Sequence, residues 1–264
     1  MMMRTVDKAL KLLDYFSPNQ PEWGLSELAR ESAIDKATTL RLLQALRRNG
    51  FVEQNPETKR YLLGPTVLRL ARTRETVFPV LAATQPVLAH LAEITGETAH
   101  ASLAQDTALA TIAVAEPKRA ARVFVDPSQP LPYHATASGI AYLAFAGREQ
   151  RQRVLNDLIF QTFTDQTIGT REALEQAIED TRARGYGIGE GSFESDVVGI
   201  AAPFFDGTGA PVGAVAVASL SGRLGPDEKA RTAAAVLTAA VDVTRKLGAE
   251  PDPDFLKLQR AMAA

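Results

Sequence analysis

Lys36, Thr38, Thr39 and Arg41 stand within six residues, directly after Asp35. Two cations and two hydroxyls in the first turns of a helix can meet phosphate oxygens and base edges. Arginine pairs bidentately with guanine or with a phosphate, and the residue type alone leaves both open. Asp35 suits the N-cap, because its carboxylate can accept from the free N–H groups of the first turn. Leu42, Leu43 and Leu46, with Leu40 beside them, form a buried stripe, and Gly50 stops the helix. Upstream, Leu25, Leu28 and Ala29 have the spacing of a shorter helix. Helix, break and helix is the arrangement that lays a second helix in the DNA major groove. Lys59 and Arg60 add a basic pair on the tip or return strand of a following hairpin. From there they can reach phosphates or the adjacent minor groove.

A second group lies far along the chain. Ala137, Ser138 and Gly139 open a helix after the extended approach Tyr133-His134-Ala135-Thr136. Unpaired N–H groups at a helix start, with the helix dipole behind them, attract a carboxylate or phosphate, and small side chains let it come close. Close packing of that helix on a sheet is the competing explanation for the small residues. Val123, Leu131, Tyr133, Val197, Ala216 and Ala218 are candidate apolar walls, and His100 and Ser192 candidate polar partners. The expected ligand is a carboxylate-bearing, fairly apolar molecule such as an aromatic acid.

Other chemistries find no support. The chain has no cysteine, which removes disulfides and thiolate metal sites. It carries no His-Glu-x-x-His, no Gly-x-Ser-x-Gly and no phosphate loop of the Gly-Lys-Ser/Thr type. Gly185, Gly187, Gly189 and Gly191 alternate without the strand-to-helix context of a dinucleotide site. His90, His100 and His134 lack metal-ligand spacing. No catalytic residue, metal or cofactor is therefore expected. Residues 1–74 hold 13 Lys+Arg against 8 Asp+Glu, a net of +5, and the remainder 16 against 23, a net of −7. A basic head on an acidic body fits nucleic-acid binding by the head. No run approaches 18 apolar residues and no signal peptide opens the chain, so the expectation is a cytoplasmic protein without a membrane partner.

The elements that must position these groups follow from periodicity. Val6, Ala9, Leu10, Leu12, Leu13 and Phe16 form one helical stripe. Residues 51–54 and 61–63 flank Asn55-Pro56 as the two strands of a wing. Residues 66–77 and 80–95 read as helices, residues 100–103, 108–115 and 122–125 as strands. Helices at 136–145, 150–158 and 171–184 come next. Strands at 186–189, 198–205 and 211–219 precede a long helix at 226–247, and the tail from Glu250 is expected to be loose at first. Strands in threes between helices in threes suggest an α+β chain whose second part is a mixed sheet with helices packed on it.

These residues resemble the IclR family of bacterial transcription regulators. The likeness runs through Leu25-Ser26-Glu27-Leu28-Ala29, Thr38, Arg41-Leu42-Leu43, Leu46, Asn49-Gly50-Phe51-Val52 and Tyr61-Leu62-Leu63-Gly64. It continues through Thr95-Gly96-Glu97-Thr98-Ala99-His100, residues 131–139, Arg184-Gly185-Tyr186-Gly187 and Gly199-Ile200-Ala201-Ala202-Pro203, in family order over about residues 4 to 247. Ala37 and Ile140 depart from it, where the family often has Ser and Lys. The resemblance implies a winged helix-turn-helix over 1–65, a linker helix over 66–78, a GAF-like mixed α/β effector-binding domain over 79–250 and a tail over 251–264. It implies a homodimer, often a dimer of dimers, on double-stranded operator DNA, with repressors commoner than activators. In relatives that bind small oxo-acids, polar side chains hold the ligand at positions matching Gly189, Gly199, Ala216 and Ala218. Here these offer no side-chain hydrogen bond, so they join the candidate cavity as surface only, favouring the larger, more apolar acid. The competing class is a GAF-like sensor or an enzyme without sequence-specific DNA binding.

Overall fold

The computed structural model describes residues 4–263. The chain divides after Pro79 into two compact units. In the first, α1 (Arg4–Lys11) runs into a 3₁₀ turn at Leu12–Tyr15, so the opening helix ends a turn earlier than its apolar stripe suggests. Next come α2 (Leu25–Glu31) and α3 (Lys36–Arg48). Then β1 (Val52–Gln54) and β2 (Tyr61–Leu63) pair antiparallel as the wing. Leu12, Phe16, Leu28, Leu42, Leu43, Leu46, Val52 and Tyr61 form one buried cluster, so the stripes of three helices and the wing meet in a common core. Gly50 lies at φ +72°, and a Cβ on Gly64 would overlap the Gly50 carbonyl oxygen. That close backbone crossing joins the end of α3 to α4 (Pro65–Val77), which begins with proline at its first turn.

The second unit is a six-stranded sheet with helices on both faces. Its elements are α5 (Val80–Thr95), β3 (Thr98–Ala104), β4 (Ala108–Ala115), β5 (Leu131–Pro132), α6 (Ala137–Phe145), α7 (Arg148–Asp157), α8 (Arg171–Arg184), β6 (Gly187–Glu190), β7 (Val197–Phe205), β8 (Pro211–Leu220), α9 (Pro226–Lys246) and α10 (Pro253–Ala263). Strand order is β5-β4-β3-β8-β7-β6. Every described pairing is antiparallel, so the domain is mixed α/β but its sheet is not of mixed direction. Residues of α6, α7 and α8 share a core with Ala201, Ala214 and Ala216 on one face. The alternate residues Ile200, Ala202, Val215 and Val217 are also buried, beneath α5 and α9. Both faces are covered, so β7 and β8 read as continuous apolar runs.

One expectation fails here. Residues 122–125 form no strand. They lie in a segment without helix or strand between β4 and β5, where the Thr98 hydroxyl rather than a strand ladder takes the Val123 carbonyl. The tail, expected to be loose at first, has no helix or strand at 249–252 and then docks as α10. Phe255 on α10 is fully buried, edge-on to Phe145 and Phe205 with ring centroids 5.3 and 5.4 Å away. Two apolar rings already in place repay the ordering of this helix.

Candidate DNA interface and effector cavity

In the first unit, Asp35 caps α3, its Oδ1 accepting from Thr38 N at 2.9 Å. That hydrogen bond holds the Asp35 carboxyl below its ordinary pKa. Lys36, Arg41, Gln44, Arg47 and Arg48 are exposed and Thr38 half-buried. Arg41 folds back so that its Nη2 donates to Thr38 Oγ1 at 3.0 Å, and Arg47 reaches Gln54 on the wing at 3.3 Å. Thr39 does not belong to this face. It is fully buried, and its hydroxyl donates to Asp35 O at 3.0 Å inside the helix. The reason is spacing: Thr39 stands three, four and seven residues before Leu42, Leu43 and Leu46, on the core side. Gln44, three residues after Arg41, takes its place on the outer face. The same helical count would have found it.

The wing separates Lys59 from Arg60. Lys59 is exposed and sits at φ +59°, a backbone state that favours glycine. Arg60 turns back instead. It binds Glu27 through Nη2 at 2.6 Å and Nη1 at 3.3 Å, and the Glu22 carbonyl at 3.1 Å. This guanidinium ties the wing to α2 and is not a free phosphate contact. The pairing also holds the Glu27 carboxyl below its ordinary pKa, so its stabilisation is present above about pH 4.5 and disappears as the pH falls through the lowered value. Lys59→Gly is expected to leave the melting temperature unlowered. It should also reduce the steepness of the salt dependence of operator binding by about one unit per protomer. Arg60→Ala should instead lower the melting temperature of this unit, as thermal unfolding monitored through Trp23 would report.

In the second unit the sheet builds a cavity by omission. Pairing aligns Gly189, Gly199, Ala218 and Thr98 across β6, β7, β8 and β3, and in the next row Gly187, Ala201, Ala216 and His100. Small side chains in both rows admit the start of α6. A Cβ on Gly187 would lie 2.5 Å from Ala137 O, and one on Gly199 3.3 Å from Ala137 Cβ. The enclosed space is about 80 Å³, and it widens into a solvent-open mouth that brings the void to about 630 Å³. Val123, Leu131, Ala137, Ser138, Gly189, Val197, Gly199, Ala216 and Ala218 all line it. Tyr133 and Gly139 do not. Tyr133 is fully buried, its hydroxyl donating to Gln105 O and its ring against Tyr142. Gly139 serves packing, since a Cβ there would lie 2.5 Å from Tyr133 O.

Thr136 caps α6, accepting from Gly139 N at 3.1 Å and donating to Pro132 O at 2.9 Å. Among the described residues no acceptor pairs with the N–H of Ala137 or Ser138, two donors at the positive end of a helix whose first residues line the cavity. His100 and Ser192 also line it, with the Ser192 hydroxyl committed to Ala135 O at 2.8 Å. The sequence did not point to Phe124, Asp126, Gln129, Phe193 and Glu194, which complete the rim from two irregular segments. Such segments carry no periodicity from which to read orientation. Burial raises the Glu194 carboxyl above its ordinary pKa.

His100 is buried, and among the described residues its Nδ1 has no partner. Desolvation pushes its pKa down from 6.5 to about 4, so the ring is neutral at pH 7. Between those values the unfolded chain binds a proton that the folded chain refuses, and stability falls as the pH drops. The loss from this residue should approach about 3 kcal/mol. His100→Gln is expected to flatten that part of the stability–pH curve, measured by denaturant unfolding at pH 4 to 7.

A capped helix with an exposed basic face in a winged helix-turn-helix, and a cavity floored by small residues, are the parts of a ligand-responsive, DNA-binding transcription regulator. Comparison with known proteins agrees: residues 5–56 match the IclR helix-turn-helix domain, and residues 75–245 the bacterial transcriptional regulator IclR C-terminal model. The chain belongs to the IclR family of bacterial transcription regulators. It is 27% identical over 247 residues to the HTH-type transcriptional regulator XynR of Escherichia coli, covering 94% of this chain and 98% of that one. A crystal structure of an IclR-type regulator from Silicibacter is 39% identical with a TM-score of 0.81, covering 95% of this chain and 99% of its own. The fold also matches an IclR homologue from Microbacterium hydrocarbonoxydans complexed with 4-hydroxybenzoate, at 20% identity and a TM-score of 0.76, over 92% and 99% of the two chains. The matched relatives are regulators, not enzymes. Among the described residues no single helix is long and apolar enough to cross a membrane.

Proposed function

We propose that the chain is a cytoplasmic, homodimeric repressor released from its operator by a fairly apolar organic acid held at the start of α6. The two unpaired N–H groups of Ala137 and Ser138, facing a cavity floored by glycine and alanine, carry this reading. They would receive a carboxylate, with the apolar body of the ligand lying over Gly199, Ala216 and Ala218 and neutral His100 offering one further hydrogen bond. The small floor leaves room for a ring, and a structural neighbour of this fold holds 4-hydroxybenzoate.

On DNA, Lys36, Thr38, Arg41 and Gln44 face the major groove and Lys59 reaches the backbone from the wing. A second copy would supply the other half-site, as helix-turn-helix dimers do. Leu68, Leu70 and Val77 are exposed on α4, which buries none of its residues within the chain, and they suit contact with that copy. The acid can shift occupancy only by its unequal affinity for the DNA-competent and incompetent states.

The test combines the protein with its own promoter fragment in electrophoretic shifts at several salt concentrations, with and without 4-hydroxybenzoate and related aromatic and aliphatic acids. Binding that weakens steeply with salt and is released by one acid class supports the reading. Specific binding indifferent to every acid, together with thermal stabilisation by a neutral or cationic compound, overturns the ligand assignment. Salt-insensitive or absent binding overturns the DNA assignment.

A further inference from the structure

Residues 117–129 cover the cavity without belonging to any helix or strand, and they contribute Val123, Phe124, Val125, Asp126 and Gln129 to its wall. What holds them is mostly polar. Glu97, the residue before β3, has a side chain only 5% exposed. Its Oε1 accepts from Arg119 at 3.1 Å, and its Oε2 from Arg223 at 3.3 Å. Arg223, in the 3₁₀ turn Ser221–Arg223 after β8, also donates from Nη2 to Ala121 O at 2.8 Å. One residue further, the Thr98 hydroxyl donates to Val123 O at 2.6 Å. Gly96 lies at φ +67°, and a Cβ there would come within 2.9 Å of the Arg119 guanidinium, so glycine leaves the arginine its place.

We propose that Glu97 is a positioning residue for effector recognition. It clasps Arg119 of the cover and Arg223 of the turn after β8, and so fixes the root of the segment whose next residues close the cavity. This rests on the cavity being the effector site. A buried carboxylate shared by two guanidiniums is strongly directional, and losing its charge leaves both arginines without their anchor. Beyond Val123, Phe124 is largely exposed and no strand pairing holds the chain until β5, so the setting of the root governs how far the tip opens. The two arginines come from separate elements, one in the cover and one after β8, which is what a clasp needs and a local surface pair does not have.

The chain has no cysteine, so a single introduced thiol reports access without any effector being known. Ala216, on the cavity floor, is 1% exposed, and Ala240 on α9, outside the cavity lining, is fully buried. Thiol labelling by a maleimide would be timed in Ala216→Cys and Ala240→Cys proteins, each with Glu97 intact and with Glu97→Gln. The expected result is labelling at 216 that is faster by about three- to tenfold with Glu97→Gln, and unchanged labelling at 240. Arg122→Ala, which removes the pair of Arg122 with Glu116 and its hydrogen bond to the Arg119 carbonyl but leaves Glu97 both of its arginines, should leave 216 near its starting rate. Equal acceleration at 216 and 240 would mean general loosening and would overturn the proposal. So would an unchanged rate at 216. Neither outcome depends on which acid, if any, enters the cavity, so failure here is separable from failure of the functional reading.

Discussion

Gly139→Ala should lower the stability of the second unit by about 3 kcal/mol, the upper part of the range for overpacking a tight interior. The added methyl would overlap Tyr133 Cα and lie 2.5 Å from the Tyr133 carbonyl oxygen, with backbone rather than flexible side chain in its way. Relief requires α6 to withdraw from its approach segment. That movement would also displace Thr136, whose hydroxyl accepts from Gly139 N, and with it the donors at Ala137 and Ser138. A loss of this size in a unit of this length lowers the unfolding midpoint by about 6–12 °C. Calorimetry on the full chain checks it, because the first unit should melt as before. The contrast is Gly207→Ala in the exposed β7–β8 turn, where an added Cβ meets nothing within 4 Å, and there little change is expected. If Gly139→Ala melts like the parent, the packing described for α6 is wrong.

Arg41→Ala should weaken operator binding by about 1–3 kcal/mol per half-site if the side chain reads a base, and should relax discrimination at one operator position. If the arginine meets only phosphate, the weakening would instead be uniform across sequences and the salt dependence shallower by about one unit. Titrations of the operator and single-base variants at fixed salt separate the two. The free protein already shows what must be undone, since Arg41 is hydrogen-bonded to Thr38 Oγ1 and must swing out to reach a groove. Thr39→Ser is the counterpart. It keeps the hydroxyl bonded to Asp35 O and removes a buried methyl, so it should cost stability while leaving sequence discrimination unaltered. An Arg41→Ala protein that binds operator with undiminished affinity would remove α3 as the reading helix.

Much of this was legible because local chemistry decided it. Asp35 as a cap, the stripe of Leu42, Leu43 and Leu46, and the turn at Gly50 place α3 without any tertiary information, since capping and amphipathic spacing act within a few residues. The helix Arg171–Arg184 is equally local, bounded by Thr170, whose hydroxyl accepts from Ala173 N, and by left-handed Gly185. The place of Thr39 is legible too, since the helical count puts it on the core side although its hydroxyl alone suggests the outer face. The small residues at Gly189, Gly199, Ala216 and Ala218 are visible in the chain, and for the two glycines it is the resemblance that links them to the cavity.

What the chain order could not decide is which partner each long polar side chain would find. Arg60 is a basic wing residue by type, yet Glu27, thirty-three positions earlier, claims it. Nothing in the chain order assigns Glu97 a partner, yet two arginines from segments distant in sequence enclose it. Tyr133 reads as an aromatic cavity wall until the Gln105 carbonyl captures its hydroxyl. The tail reads as loose until Phe145 and Phe205 stand ready to receive Phe255. Helix and strand periodicities arise from backbone geometry repeated every few residues, so the sequence carries them. Ion pairs, cavity walls and docked ends depend on which segments the folded sheet and its helices bring within a few ångströms, and only the assembled fold sets those distances.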